Sequence, residues 1–343
     1  MKTGRHLCHT MGMVTLSLAL MVGATAIPQP SQANETLAEA ERLDQKAVSM
    51  IKRAQLLLRI DVLEQEETDK ICDFALEYEK AEWIKTRVYK TPFHDDIALT
   101  LEHISSLYKL CHAPMAQKYL NSVLRIKQKL YSTDSEAAAS AHDALGDYLR
   151  VYMMEFKKAI IHYEEAKRIR IKLYGADDPR ITKNFNRLAI TVFYHKNEKT
   201  YAEKLLEDAI AITRASPENE ANPYWRAHMD AGRYYAMTQA YEKAISHLET
   251  ALNIVKDGWN NDEITILSEL GMIYLNKNDL NLSLKYTKKA YDKAKALYKK
   301  TRTLDFLQTI ELLSEIYTAM GDTKRSEQLK TELNQVKVRL IKE

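Results

Sequence analysis

The residues that could carry chemistry in this sequence are ten histidines, three cysteines and 47 aspartates and glutamates. The histidines are scattered, and none stands at metal-ligand spacing with a carboxylate between it and a second histidine, as in His-Glu-x-x-His. The sequence also lacks Gly-x-Ser-x-Gly, Cys-x-x-Cys and glycine-rich phosphate-loop motifs. Most of the acids are therefore interpreted as solvated helix faces. We predict no catalytic residue, no metal site and no cofactor, and a hydrolytic site within residues 34–91 is the enzymatic alternative.

Cys72 and Cys111 are the two cysteines that follow the N-terminal segment, and they flank a turn marked by Pro92. Cys72 lies 17 residues before Tyr89, where the preceding helix is expected to end, and Cys111 lies 19 residues after Pro92. In an antiparallel hairpin this difference of two residues corresponds to about 3 Å of helix rise. The two thiols could therefore meet and form a disulfide in an oxidising compartment. The alternative is two separately buried thiols.

The elements that must position such residues are helices. Only 9 glycines and 7 prolines occur among 343 residues, whereas sheet-rich folds need turn residues every 8–12 positions or so. A Rossmann fold is disfavoured because its phosphate loop requires clustered glycines. Hydrophobic residues make up 45% of the chain, enough to bury a sizeable core. The composition therefore predicts helices joined by short turns.

The first 33 residues have the features of a secretory signal peptide. Lys2 and Arg5 form a positive start, and residues 11–22 form an apolar segment. Small residues with Ala-x-Ala-like spacing end at Ala26 and at Ala33, so cleavage is predicted after one of these two. The alternative is an uncleaved anchor, although the apolar run is shorter than the roughly 20 residues of a spanning helix. We predict export to the periplasm or outside the cell, with no membrane span after the signal is removed.

The charge of the mature chain is close to neutral. Removing Lys2 and Arg5 leaves 48 basic residues against 47 acidic ones. Such a chain has no long-range field to attract a phosphate backbone, so nucleic acid is not an expected partner.

A recurring pair of small residues organises the sequence after residue 92. The first member lies in one predicted helix, often three residues before a tyrosine, at Ser105, Gly146, Ala189, Gly232, Gly271 and Ser314. The second follows about a dozen residues later in the next helix, at Ala116, Ala159, Ala202, Ala244, Ser283 and Ser326. These second positions are 43, 43, 42, 39 and 43 residues apart. A larger side chain at either place would hold two paired helices apart, so the pattern predicts six helix pairs that share one core.

This pattern resembles that of the tetratricopeptide repeat (TPR) family. The Leu-Gly-x-x-Tyr core occurs at residues 270–274, whereas the usual leading Trp is absent from every copy and Phe is replaced. The spacing is longer than the ordinary repeat of about 34 residues and is similar to that of kinesin light chains. The resemblance covers residues 92–340 and implies an all-α right-handed superhelix, a TPR solenoid, over residues 92–343. Its last helix, 323–342, would be a C-terminal cap.

Residues 34–91 are less regular. They are predicted to form an N-terminal helical cap or a degenerate first repeat, with helices at about 35–58 and 68–89.

The first helices of stacked pairs line the concave side of a solenoid. A face with i, i+3, i+7 periodicity selects Asp143, Asp147 and Arg150, then Lys183, Asn186 and Ile190, then Arg226, Met229 and Arg233. The family resemblance implies that Lys, Asn and Arg at these places hold the backbone or the carboxylates of an extended peptide. The candidate groove residues are Arg150, Lys183, Asn186, Arg226, Met229 and Arg233. The alternative is an ordinary solvated face.

These features predict a non-enzymatic scaffold or adaptor in the bacterial envelope that binds a protein or an extended peptide in its groove. Self-association of the chain is included among the expected interactions. The alternative is a peptide-sensing TPR regulator, which would need a cytoplasmic location and usually an effector domain.

Overall fold

A computed structural model describes residues 36–111, 113–196, 198–215, 224–255, 261–301 and 304–342. Within these ranges the chain forms α-helices and one 3-10 helix, and no strand occurs. The predicted signal peptide, residues 1–33, lies outside the described residues. None of the described helices combines the length and apolarity needed to cross a bilayer.

The described helices follow one another as seven pairs, each with a first and a second helix joined by a short turn. A 3-10 helix, Pro179–Asn184, precedes the first helix of the fourth pair. The helices are α1 Leu37–Arg59, α2 Gln65–Tyr89, α3 Asp95–Cys111, α4 Ala113–Tyr131, α5 Glu136–Val151, α6 Phe156–Tyr174, α7 Phe185–Lys196, α8 Lys199–Ala215, α9 Tyr224–Met237, α10 Tyr241–Ile254, α11 Asn261–Asn276, α12 Leu280–Thr301, α13 Asp305–Ala319 and α14 Thr323–Lys342.

Small residues set the approach of the two helices in a pair, as the sequence predicted. A Cβ atom added to Gly232 would lie 2.6 Å from the Cγ atom of Leu248, and one added to Gly146 would lie 2.6 Å from the ring of Tyr163. The small residues of the second helices are buried in all six predicted pairs. Where serine replaces alanine, its hydroxyl is used, since Ser283 Oγ donates to the Gly271 carbonyl at 2.8 Å.

Local capping fixes the elements around the fourth pair. Helix α5 begins at Glu136 because the Ser135 side chain accepts a hydrogen bond from the Ala138 amide at 3.2 Å. The 3-10 helix begins at Pro179, where the missing N–H costs nothing, and Asp178 Oδ1 accepts from the Arg180 amide at 2.9 Å. This short element sets the start of α7 beside α6.

A buried ion pair joins the third and fourth pairs. The guanidinium of Arg170 on α6 is fully buried and donates to Asp143 Oδ2 on α5 at 2.7 Å. Asn184, at the end of the 3-10 helix, donates to Asp143 Oδ1 at 3.0 Å and to the Tyr163 carbonyl at 2.9 Å. Because every partner here lies inside the protein, this network holds α5, α6 and the 3-10 helix in one arrangement.

The N-terminal region forms a helix pair, α1 and α2, close to the predicted bounds. Lys85 on α2 is buried and donates to Asp44 Oδ2 on α1 at 2.5 Å and to Thr100 Oγ1 on α3 at 2.9 Å. Tyr78 donates to the same aspartate. These polar groups bind one another and tie the first pair to the second.

The predicted disulfide is absent from the structure, which contains Cys72 and Cys111 as partly buried thiols. Helix α2 ends at Tyr89 as expected, but α3 begins only at Asp95, so the register counted from Pro92 does not hold. The Cys111 thiol donates to the Leu107 carbonyl of its own helix at 3.6 Å. Register along a hairpin fixes the height of a side chain but not the direction in which it points.

The first pair also contacts the last two. Leu57 and Ile60, at the end of α1, belong to the same buried apolar cluster as Leu267 on α11 and Ile310 on α13. Charge follows the same contact, because Arg59 lowers the pKa of Asp305 at the start of α13 against the larger, opposite effect of burial. The turn after α1 therefore packs against the C-terminal pairs.

Candidate partner-binding face

Four successive first helices, α5, α7, α9 and α11, present charged side chains that interact with one another. We call this set the charged stripe. Its members are Asp147, Arg150, Arg187, Arg226, Asp230, Arg233 and Glu269.

Asp147 on α5 is shared by two arginines of the stripe. Its Oδ1 atom lies 3.4 Å from Arg187 Nε on α7 and 3.8 Å from Arg150 Nη2 on its own helix. The Tyr163 hydroxyl donates to the same oxygen at 2.8 Å. One carboxylate thus faces two guanidinium groups, so the α5–α7 end of the stripe carries excess positive charge.

The other end of the stripe is formed by α9 and α11. Arg233 Nε donates to Glu269 Oε1 at 2.9 Å, which pairs these two residues across neighbouring helices. Arg226 is exposed, its guanidinium lies 5.0 Å from the ring centroid of Trp225, and no ion pair to it occurs within the described residues. Arg226 is therefore the stripe cation most available to a partner.

Asp230 has the most perturbed carboxyl group of the stripe. Burial raises its pKa to about 6, and the opposing effects of Arg233, Arg226 and Arg187 are smaller. Throughout the described ranges, no hydrogen bond or ion pair reaches this carboxylate. A buried acid without a donor is costly, because its charged form has lost water and gained no partner.

The structure places four of the predicted groove residues on or beside this face. Arg150, Arg226 and Arg233 belong to the charged stripe, and Asn186 lies next to it on α7. Lys183 falls in the 3-10 helix, and its side chain is not among the described ones.

Met229 was predicted to face the groove, and this is wrong. Its side chain is 93% buried, being 7% exposed, and it belongs to the main apolar core. Asp143, chosen by the same periodicity, is likewise buried. Both lie three residues before the small residue of the first helix, a position that points between the helices rather than outwards.

Sequence reasoning missed Arg187, Asp230 and Glu269, which lie two residues before the small residue. They are 43 and 39 residues apart, the same spacings as those between Ala189, Gly232 and Gly271. Charge recurring at the repeat spacing was the signal that could have identified them.

A cavity of about 390 Å³ opens beside the stripe, between the 3-10 helix, α7, α8 and α9. We call it the side cavity. It is lined by Glu136, Tyr174, Pro179, Arg180, Thr182, Asn186, Leu206, Ala209, Arg226, Ala227 and Asp230. Two residues of the stripe and one further predicted groove residue thus lie on its wall.

The described residues contain no group of three or more His, Cys, Asp or Glu side chains arranged to hold a metal ion.

Comparison with known proteins gives structural neighbours only. No protein-family model and no curated protein sequence matches the chain. BtubC (BKLC) from P. vanneervenii is 21% identical over 64% of this chain and 89% of that chain, with a TM-score of 0.45. PilW, a widely conserved type IV pilus biogenesis factor, is 15% identical over 70% and 93% of the two chains, with a TM-score of 0.47. The apo form of the quorum sensor NprR from B. thuringiensis is 12% identical over 89% of each chain, with a TM-score of 0.45.

Likeness at this level identifies no partner or activity, and the fold is evident from the helix pairs themselves. The described residues form an all-α, TPR-like superhelix of paired helices, which is the fold that the recurring small residues predicted.

Proposed function

We propose that the protein is a non-enzymatic scaffold or adaptor that holds a partner protein or an extended peptide along the charged stripe. The observation that carries this proposal is the excess of guanidinium groups on successive first helices. Four arginines share three carboxylates there, and Arg226 has no ion pair within the described residues.

Arginine suits such a role because its planar group binds a carboxylate or a pair of carbonyl oxygens through two parallel hydrogen bonds. Arg150, Arg187 and Arg226 come from three consecutive helix pairs. A segment crossing these helices would meet one guanidinium for each pair that it passes. Acidic residues and free backbone carbonyls in an extended segment are the groups that would match this spacing.

The proposed location is the bacterial envelope or the extracellular space. It is supported by the signal-like residues 1–33 of the sequence. The mature chain is therefore the form to use in a binding experiment.

The test is affinity capture from an envelope extract with the mature protein, compared with a variant in which Arg150, Arg187 and Arg226 are replaced by Gln. A matched control removes three exposed arginines from other helices, Arg87, Arg125 and Arg339. We expect the stripe variant to lose partners at least about tenfold, because each charge-assisted hydrogen bond contributes roughly 1.5–3 kcal/mol. The control should capture like the unchanged protein.

Equal capture by all three proteins would contradict the proposal. Equal losses in the stripe variant and in the control would show that only net charge matters, and this too would contradict a site on the stripe.

A further inference from the structure

The side cavity has a wall whose hydrogen-bond donors are already used. Arg180 donates from Nε and Nη2 to Asp178 at 2.9 and 2.8 Å. Thr182 donates to the Pro179 carbonyl at 2.8 Å, and the Tyr174 hydroxyl donates to Glu136 at 3.3 Å. These groups have little left to offer a ligand.

Two acceptors on the same wall have nothing to accept. The Oδ1 atom of Asn186 is buried and has no hydrogen-bond partner. The carboxylate of Asp230 has no hydrogen bond or ion pair to any described residue, and burial dominates its raised pKa. Buried acceptors are nearly always paired in folded proteins, so this wall calls for a ligand that brings donors.

The rest of the wall suits an aliphatic chain. Leu206, Ala209 and Ala227 are buried side chains with no polar atoms, and they line the same cavity. A volume of about 390 Å³ exceeds what one long side chain needs, so entry requires no rearrangement.

The charge of the ligand follows from burial. Arg187 and Arg233 are already paired with Asp147 and Glu269, at 3.4 and 2.9 Å. Arg226 is exposed, so water and salt screen its repulsion of a cation, whereas the more buried Asp230 attracts it in a lower dielectric.

We propose that the side cavity binds the cationic side chain, lysine or arginine, of a segment lying along the charged stripe. Its aliphatic stem would pack on Leu206 and Ala209, and its ammonium or guanidinium would donate to Asp230 and Asn186. This inference rests on the proposed function for the identity of the segment, and it adds a basic residue that sets the position of that segment in the groove.

The test uses small probes, so that it does not depend on knowing the partner. n-Butylammonium and ethylguanidinium are compared with n-butanol and pentanoate by ligand-observed NMR on the mature chain. We expect the two cations to bind and the alcohol and the carboxylate not to bind. Raising the pH from 5 to 7.5 should strengthen binding, because Asp230 ionises about pH 6. The charges around it, Arg187, Arg226, Arg233 and Glu269, are included in that pKa.

Variants locate the site. Asp230→Asn should weaken binding of both cations about tenfold, as expected for the loss of one charge-assisted hydrogen bond. Asn186→Asp should strengthen it by adding a second carboxylate to the same wall. Asp208→Asn is the matched control, since Asp208 is an exposed acid on α8 that does not line the side cavity.

The inference is overturned if n-butanol binds as well as n-butylammonium, or if Asp230→Asn and Asp208→Asn have the same effect. It fails separately from the proposed function. Cation binding in the cavity with unchanged capture by the arginine variant would contradict the groove, whereas lost capture without cation binding would contradict the cavity alone.

Discussion

Acid should loosen two of the helix pairs, because each contains two histidines that face each other and can hold only one proton between them. The Nδ1 atoms of His142 on α5 and His162 on α6 lie 2.9 Å apart, and those of His228 on α9 and His247 on α10 lie 3.0 Å apart. The ring centroids of both pairs are 5.2 Å apart. Each nitrogen therefore points directly at the other. With both imidazoles neutral, one nitrogen donates and the other accepts, but a second proton would place two donors in contact.

Burial, with the charge of the second imidazole as the smaller cause, lowers the pKa of His162 and of His228 to about 4. Burial also lowers the pKa of His142 and of His247. The other charges that act on these rings belong to Glu165 and Arg168 at His142, Arg214 at His228 and Lys243 at His247. Burial outweighs all of them, so the folded chain favours neutral imidazoles.

The unfolded chain takes up these protons first as the pH falls. Stability from the two pairs is therefore complete above pH 6.5, the ordinary histidine value, and is lost progressively down to about pH 4. At pH 5 the loss from His162 and His228 is about 2 kcal/mol each. For a protein whose total stability is on the order of 10 kcal/mol, a combined loss of about 4 kcal/mol is large.

The assay is urea denaturation at about pH 7.5 and pH 5, followed by circular dichroism. The comparison protein carries His142→Leu, His162→Tyr, His228→Leu and His247→Tyr. Leucine and tyrosine occupy the same positions in another helix pair, at Leu267 and Tyr286, so the exchange copies a packing that this fold already uses. We expect the unchanged protein to lose about 4 kcal/mol more than the variant between the two pH values. An equal loss in both proteins would refute the reasoning.

Two further predictions concern the packing between helices. Gly232→Ala should destabilise the protein by about 1–3 kcal/mol in urea, because the new Cβ would meet Leu248 Cγ at 2.6 Å; unchanged stability would show that the α9–α10 contact adapts freely. Arg170→Met should cost about 3–5 kcal/mol, because it leaves Asp143 buried without its cation. The double change Arg170→Met with Asp143→Leu should recover part of that loss, and a double variant no more stable than the single one would contradict this account.

Much of the fold could be predicted from the sequence because the contacts that define it are local and repeated. A small residue in each helix of a pair is a steric requirement, and Gly146 and Gly232 meet it in the structure as expected. Proline and a short polar turn also placed the end of α2 correctly at Tyr89.

The binding face was predicted less accurately, since an α-helix turns by about 100° per residue and a pattern of three and four cannot fix its phase. Choosing Asn186 and Met229 instead of Arg187 and Asp230 is an error of one residue. It moved the predicted face towards the core at α9. The side cavity could not have been predicted, because its wall comes from the 3-10 helix and three separate α-helices, whose relative placement no periodicity encodes.

The contact between the first pair and the last two changes how the protein should come apart. A linear array of repeats frays from its ends, because a terminal repeat has a neighbour on one side only. Here Leu57 and Ile60 provide the first pair with a second neighbour, at Leu267 and Ile310. Unfolding therefore has no free N-terminal repeat from which to start, and separating this long-range contact should be the earliest step that denaturant or force must accomplish.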